Sequence, residues 1–251
     1  MRRRLLTLTA GLLLSLTCAW GQALDLAKQM PVNNAKDPQA SMAESMRLLG
    51  ELSKLGADGV KQLGAALGTA DEAKAYFALN GLMNYAMRPG ADAERAAVED
   101  GLIDQIKAKT DADQRNRLIQ LLQYLATDKS VPVIAPLLAN DDANDYAVRL
   151  LASLATPAAR AALVAGQAGL KGRPLANVVR ALGELGVKEA NAAILPLAGS
   201  DDAVVKAAAL YALSALGDAA SRDALAKAAE ATGKLERRAN TALYLRWAAK
   251  A

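Results

Sequence analysis

The sequence predicts an all-α protein, a right-handed α-solenoid of about six two-helix repeats. Three observations predict it. Alanine and leucine supply most of a 53% apolar share, while aromatics make up only 4%. Strong helix formers thus stand where a sheet protein would carry β-branched and aromatic residues. Apolar residues recur at helical spacing, and that pattern itself returns about every thirty residues.

The repeat is anchored on Leu125, Leu154, Leu185 and Leu216, spaced by 29, 31 and 31 residues. A small residue follows each: Ala126, Ala155, Gly186 and Gly217. Three before the anchors stand Leu122, Leu151, Leu182 and Leu213. Four before stand Leu121, Leu150, Ala181 and Ala212. Six before stand Ile119, Val148, Val179 and Leu210, and seven before stand Leu118, Ala147, Val178 and Ala209. These offsets trace one face of a helix that ends at the anchor. Nine after the anchors, Ile134, Leu163, Ile194 and Leu225 mark a second helix. Each unit therefore reads helix, turn, helix. Between units, Asp111, Asp141-Asp142 and Asp201-Asp202 are expected to cap helices, and Lys171-Gly172-Arg173-Pro174 to open one.

Upstream the repeat is less regular. Leu48, Leu49, Leu52 and Leu55-Gly56 predict one helix, with a partner through Leu63 and Leu67. Further helices are expected from Tyr76 to Met87 and from Ala96 to Lys107, around an insertion near 88–95 that contains Arg88-Pro89-Gly90. The last helix, Leu235 to Lys250, lacks a second partner. It reads equally as a polar cap, with Arg237, Arg238, Arg246 and Lys250, or as the edge of a longer parent protein.

Before the array, residues 1–21 have the three parts of a signal peptide. Arg2-Arg3-Arg4 is followed by the apolar run Leu5 to Trp20, shorter than the roughly 20 residues that span a bilayer. Ala19 and Gly21 offer one cleavage site, and Gly21 and Ala23 a second. Cys18 raises a lipoprotein reading, which Leu16 and Thr17 fit poorly. Residues 22–42, with Pro31, Asn33, Asn34 and Pro38, read as a linker, and residues 43–251 as the array. The expected location is outside the cytoplasm, periplasmic or extracellular, with no membrane span after cleavage.

Charge and inventory exclude several function classes. Removing the three leader arginines leaves 27 bases against 26 acids. No basic stripe of the kind that displaces counterions from phosphates is present, so no nucleic-acid partner is expected. The chain has no histidine, and its single cysteine, Cys18, lies in the leader. The usual zinc ligands and the imidazole of a catalytic triad are therefore missing. The Asp pairs serve as caps more simply than as acid/base couples, and Glu99-Asp100 and Asp111/Asp113 lack the glycine and ligand spacing of a calcium loop. The expectation is no catalytic residue, no cofactor and no metal.

Asp201-Asp202, Val205-Lys206, Ala208-Ala209, Leu213, Leu216-Gly217-Asp218 and Ala224-Leu225 resemble a HEAT-like repeat of the bilin-lyase type, and Val179 to Gly186 is similar. The resemblance covers about 43–251 and is clearest after residue 111. It departs at Asp145 and Ala176, which fill a slot where the family often has Arg or Lys. It implies an α-solenoid with scaffold or binding roles. The deoxyhypusine hydroxylase group shares the resemblance but holds iron with histidines, which this chain lacks. Bilin lyases act on tetrapyrroles, for which no residue here is singled out.

By that resemblance the second helices line the binding surface, for a protein or peptide partner. Lys129, Arg160, Asn191 and Arg222 are the candidate partner-binding residues; the last three share the column six after the anchor. The aromatics Tyr76, Tyr85, Tyr124, Tyr146, Tyr211, Tyr244 and Trp247 read first as inter-repeat packing and second as interface anchors, with Tyr124 and Tyr211 off the apolar stripe. The function expected is a non-catalytic binding module. The alternatives are an accessory arm of a larger envelope enzyme, such as a hydrolase, and a structural element of the envelope.

Overall fold

A computed structural model describes residues 21–31 and 37–250. The segment expected as a signal peptide, residues 1–21 with Cys18, therefore lies almost wholly outside the described residues. Among those described there are fourteen α-helices and no strand, and the chain divides into two compact units, one ending at Leu125 and one starting at Ala126.

The first unit holds α1 (Gln22–Gln29), α2 (Pro38–Lys54), α3 (Gly56–Ala65), α4 (Glu72–Ala86), α5 (Asp92–Ala108) and α6 (Ala112–Leu122). First helices α2, α4 and α6 pack in one row, and second helices α3 and α5 in another. Capping sets the starts. The Asp37 carboxylate accepts from the Ala40 N–H at 2.9 Å, with Pro38 at the first helical position, and Asp111 accepts from the Gln114 N–H at 2.9 Å. The insertion expected near 88–95 is not a long loop. The chain turns through Met87 to Ala91, with Gly90 at φ 79°, and the extra residues extend α5 to 17.

The stretch expected as a linker contains α1. Its Ala23 and Ala27 are fully buried against α2, α3 and α4, and Lys28 pairs with Asp71 at 2.8 Å. The proline and asparagines of this stretch all follow the helix, so they mark its end; the two small buried alanines let it lie close to its neighbours.

The second unit holds α7 (Val131–Ile134), α8 (Asn144–Leu154), α9 (Pro157–Gly166), α10 (Gly172–Glu184), α11 (Asn191–Ile194), α12 (Ala203–Leu216), α13 (Arg222–Ala229) and α14 (Lys234–Ala248). First helices α8, α10, α12 and α14 pack side by side. Every residue of the five apolar columns is buried, both here and in α6. The anchors Leu154 and Leu185 are half-buried, because they close a helix where it reaches the turn. Burial of such leucines stabilises by roughly 2 kcal/mol each. Gly183 sets the closest seam: a Cβ there would lie 2.5 Å from Ala212 Cα, so α10 and α12 approach nearer than any larger residue permits. The turns differ in residue but share a shape, with Ala155 at φ 52° and Gly217 at φ 68°.

Two second helices are broken. Pro136 and Pro196 each sit two residues past an α-helical turn, as the second residue of the 3-10 turn that continues it, Ala135–Ala139 and Leu195–Gly199. Proline has no N–H to return to the preceding turn and crowds the carbonyl there. Asp202 caps α12 as expected, accepting from Val204 and Val205 N–H. Before α8, which begins at Asn144, the Asn140 side chain accepts the Ala143 N–H at 3.0 Å.

Candidate functional site

The predicted row divides when its side chains are placed. Lys129, in the 3-10 turn Asp128–Ser130 that leads into α7, and Arg222, at the start of α13, are exposed. Arg160 is half-buried: its Nε donates to the Ala155 carbonyl and its Nη1 to the Leu185 carbonyl, both at 3.0 Å. It ties the turn after α8 to the end of α10, where the helix leaves carbonyls without intrahelical donors. Asn191 is only 6% exposed, and its side-chain oxygen accepts from Ser221 Oγ at 2.9 Å. Sharing one column therefore does not give these residues one role. Arg160 and Asn191 hold adjacent repeats together and leave the exposed charge of the row to Lys129 and Arg222.

Other buried polar groups are braces of the same kind. Asn144 donates to the Leu138 carbonyl at 2.7 Å and accepts from Asn177 Nδ2 at 2.9 Å, joining three consecutive segments. Asn240 donates to the Ala228 carbonyl at 2.9 Å. Trp247 is buried, stacks on Tyr244 at 5.6 Å and donates its indole N–H to the Asp218 carbonyl at 2.8 Å. Tyr211 lies between two guanidiniums, Arg180 at 5.5 Å and Arg246 at 4.8 Å from its ring. These aromatics pack as the first reading expected, whereas Tyr124 is exposed.

Two grooves, of about 760 and 730 Å³, lie along second helices of the second unit. One is lined by Pro157, Arg160, Val164 and Val187, the other by Leu195, Asp223, Lys227 and Thr232. Their walls mix small apolar residues with charged ones, Arg160 and Glu189 in the first and Lys206, Asp223, Lys227 and Glu236 in the second.

The surface that sequence reasoning missed is in the first unit. A groove of about 700 Å³ runs between α2 and α4, with the end of α1 as its wall. Met30 and Pro31 close one side, Met42 and Ser45 come from α2, and Phe77 and Lys74 from α4. It continues past Leu49, Tyr76 and Asn80. Met42 is 70% and Phe77 51% exposed, although side chains of this size are usually buried in cores. Gly81 keeps the floor open: a Cβ there would lie 3.0 Å from Leu49 Cδ2. Along the outer face of α2, the Arg47 fork grips Glu44 at 2.7 and 2.8 Å and holds its carboxyl below the ordinary range. The signal was available as Met42, Met46 and Phe77, the only phenylalanine, standing outside the leucine stripes.

Residues 174–246 match the family described as HEAT repeats. Over that stretch the chain carries HEAT-like repeats. Among curated proteins no match is found. Solved structures with similar folds include the complex of CpcE and CpcF of phycocyanin lyase from Nostoc sp. PCC7120, at 23% identity over 72% of this chain and 74% of that one, with TM-score 0.46. Human deoxyhypusine hydroxylase in complex with glycerol is 13% identical over 94% of this chain and 99% of that one, with TM-score 0.42. A computationally designed armadillo repeat protein for modular peptide recognition is 16% identical over 90% and 99%, with TM-score 0.41. Each is a likeness and carries no activity over to the HEAT-like repeats described above.

Among the described residues no helix is long and apolar enough to cross a membrane, and no three carboxylate side chains gather as metal ligands do.

Proposed function

We propose that this chain is a non-catalytic binding module of an exported protein, which takes an apolar segment of a protein partner into the groove between α2 and α4. One observation carries the reading: Met42 and Phe77 are exposed beside a continuous apolar groove, at 70% and 51%. Thioether and aromatic side chains gain most from being covered, and methionine adapts to irregular partners. The polar margins, Ser41, Lys74 and Asn80, supply donors to a bound main chain. Lys129 and Arg222 form a second, charged contact surface under this proposal, as the second-helix row was expected to do.

The test is capture from an envelope extract by residues 22–251, compared with the double variant Met42→Asp, Phe77→Asp. Both positions are exposed, so the variant is expected to fold, which circular dichroism checks. Loss of a partner that the unaltered chain retains supports the groove. An unchanged set of captured proteins sinks it. Lys129→Glu with Arg222→Glu examines the second surface. Arg160 is unsuited to that purpose, since its removal also frees two helix-end carbonyls.

A further inference from the structure

We infer that the chain that folds begins at Gln22, and that this residue closes to a pyroglutamate, making the start of α1 a modification site. The inference rests on the proposed export, because the leader must be removed.

Two cleavage positions satisfy the small-residue requirement, after Gly21 and after Ala23. The fold treats them differently. Ala23 and Ala27 are fully buried, Met30 nearly so, and the Ala23 N–H donates to Gln62 Oε1 on α3 at 3.0 Å. A chain starting at Leu24 lacks that methyl and that donor, and loses the first turn of α1. A chain starting at Gln22 keeps both. It gives up only the contacts of Gly21: its N–H to Gln62 at 3.2 Å and its carbonyl to the Asp25 N–H at 2.9 Å. Gly21 adopts φ 109° and has no atom within 4 Å of the place a side chain would occupy, so no side-chain packing is built around it.

Cleavage after Gly21 leaves an α-amine on Gln22, whose side chain is exposed. The amine nitrogen attacks the side-chain amide carbon Cδ. The Nα–Cδ bond forms and the Cδ–Nε2 bond breaks. Ammonia leaves with one proton of the amine. No oxidant, reductant or second substrate is involved. The product is a neutral lactam that keeps one N–H. Its neutrality suits the position: an ammonium there would stand at the positive end of the helix dipole, whereas the lactam does not oppose it.

The experiment is intact mass and N-terminal peptide analysis of the full-length protein expressed in an exporting host. A chain that begins at Gln22, resists amine labelling and is lighter by one ammonia is the expected result. A chain that begins at Gln22 with a free amine overturns the lactam. A chain that begins at Leu24 overturns the assigned start while leaving export intact. Retention of Met1 overturns export and this inference together. A second arm does not depend on export. Forms starting at Gln22 and at Leu24, released from a cleavable tag, are melted side by side. The Leu24 form is expected to melt lower by roughly 5 °C. Gln62→Ala should lower the Gln22 form by more than the Leu24 form. Equal melting temperatures, or equal effects of Gln62→Ala, overturn the role given to Ala23.

Discussion

In the unit that starts at Ala126, proline breaks two second helices into short turns. In the unit that ends at Leu125, second helices α3 and α5 run unbroken for 10 and 17 residues. The regularity of the sequence runs the other way. The later unit keeps its leucine columns in strict register and covers almost all of them. The earlier unit is irregular and leaves Met42 and Phe77 in solvent beside one groove, while the later unit exposes Val204, Leu235 and Leu245, which stand outside its columns. Strict register thus marks what each repeat buries against the next, and the large apolar side chains left exposed stand outside it.

Substitutions that test this contrast fall in a clear order. Leu213→Ala, in a fully buried column, is expected to cost about 3 kcal/mol in denaturant unfolding, whereas Phe77→Ala should change stability by less than about 0.5 kcal/mol. Similar costs at the two positions would break the contrast. Asn144→Ala removes a group that donates to Leu138 and accepts from Asn177, and about 2 kcal/mol should be lost. Gly217→Ala forces a side chain into the left-handed region and 2.8 Å from Lys250 Cβ, at about 1–2 kcal/mol, while Ala155→Gly at the equivalent turn should be near neutral or stabilising. Pro136→Ala with Pro196→Ala should raise helical ellipticity slightly; no change would mean that something other than proline interrupts α7 and α11.

The smallest effect concerns Lys61 on α3, which reaches Asp104 at 3.0 Å and Asp58 at 3.6 Å. The hydrogen bond and charge of Asp104 lead in raising its pKa. A raised folded pKa means that the stabilisation is fully present below the ordinary lysine value and fades as pH rises through the higher one. Lys61→Met should therefore differ slightly from the unaltered chain near neutrality and converge with it in strong alkali, as read by unfolding midpoints.

Much of the fold was legible because burial in these repeats is periodic. The columns of Leu182, Val179 and Val178 announced their face before any coordinates. What escaped had no period. α1 is eight residues long, and its buried positions are alanines, which mark a core only when the surface that covers them is known. Arg160 and Asn191 shared a column with Arg222, yet the column fixes only a place on the helix. Which carbonyls stand opposite is decided by the neighbouring repeat. The groove escaped for a related reason: Met30, Met42 and Phe77 are far apart in sequence and meet only once α1, α2 and α4 are packed.

The seam at Gly183 also acts as a spacing gauge. Because Ala212 touches the position where a larger residue at 183 would project, the pair must change together or not at all. Repeats transplanted into this array from elsewhere would have to bring both partners, or the helices that follow would be levered outward and the column of Leu213 opened to water.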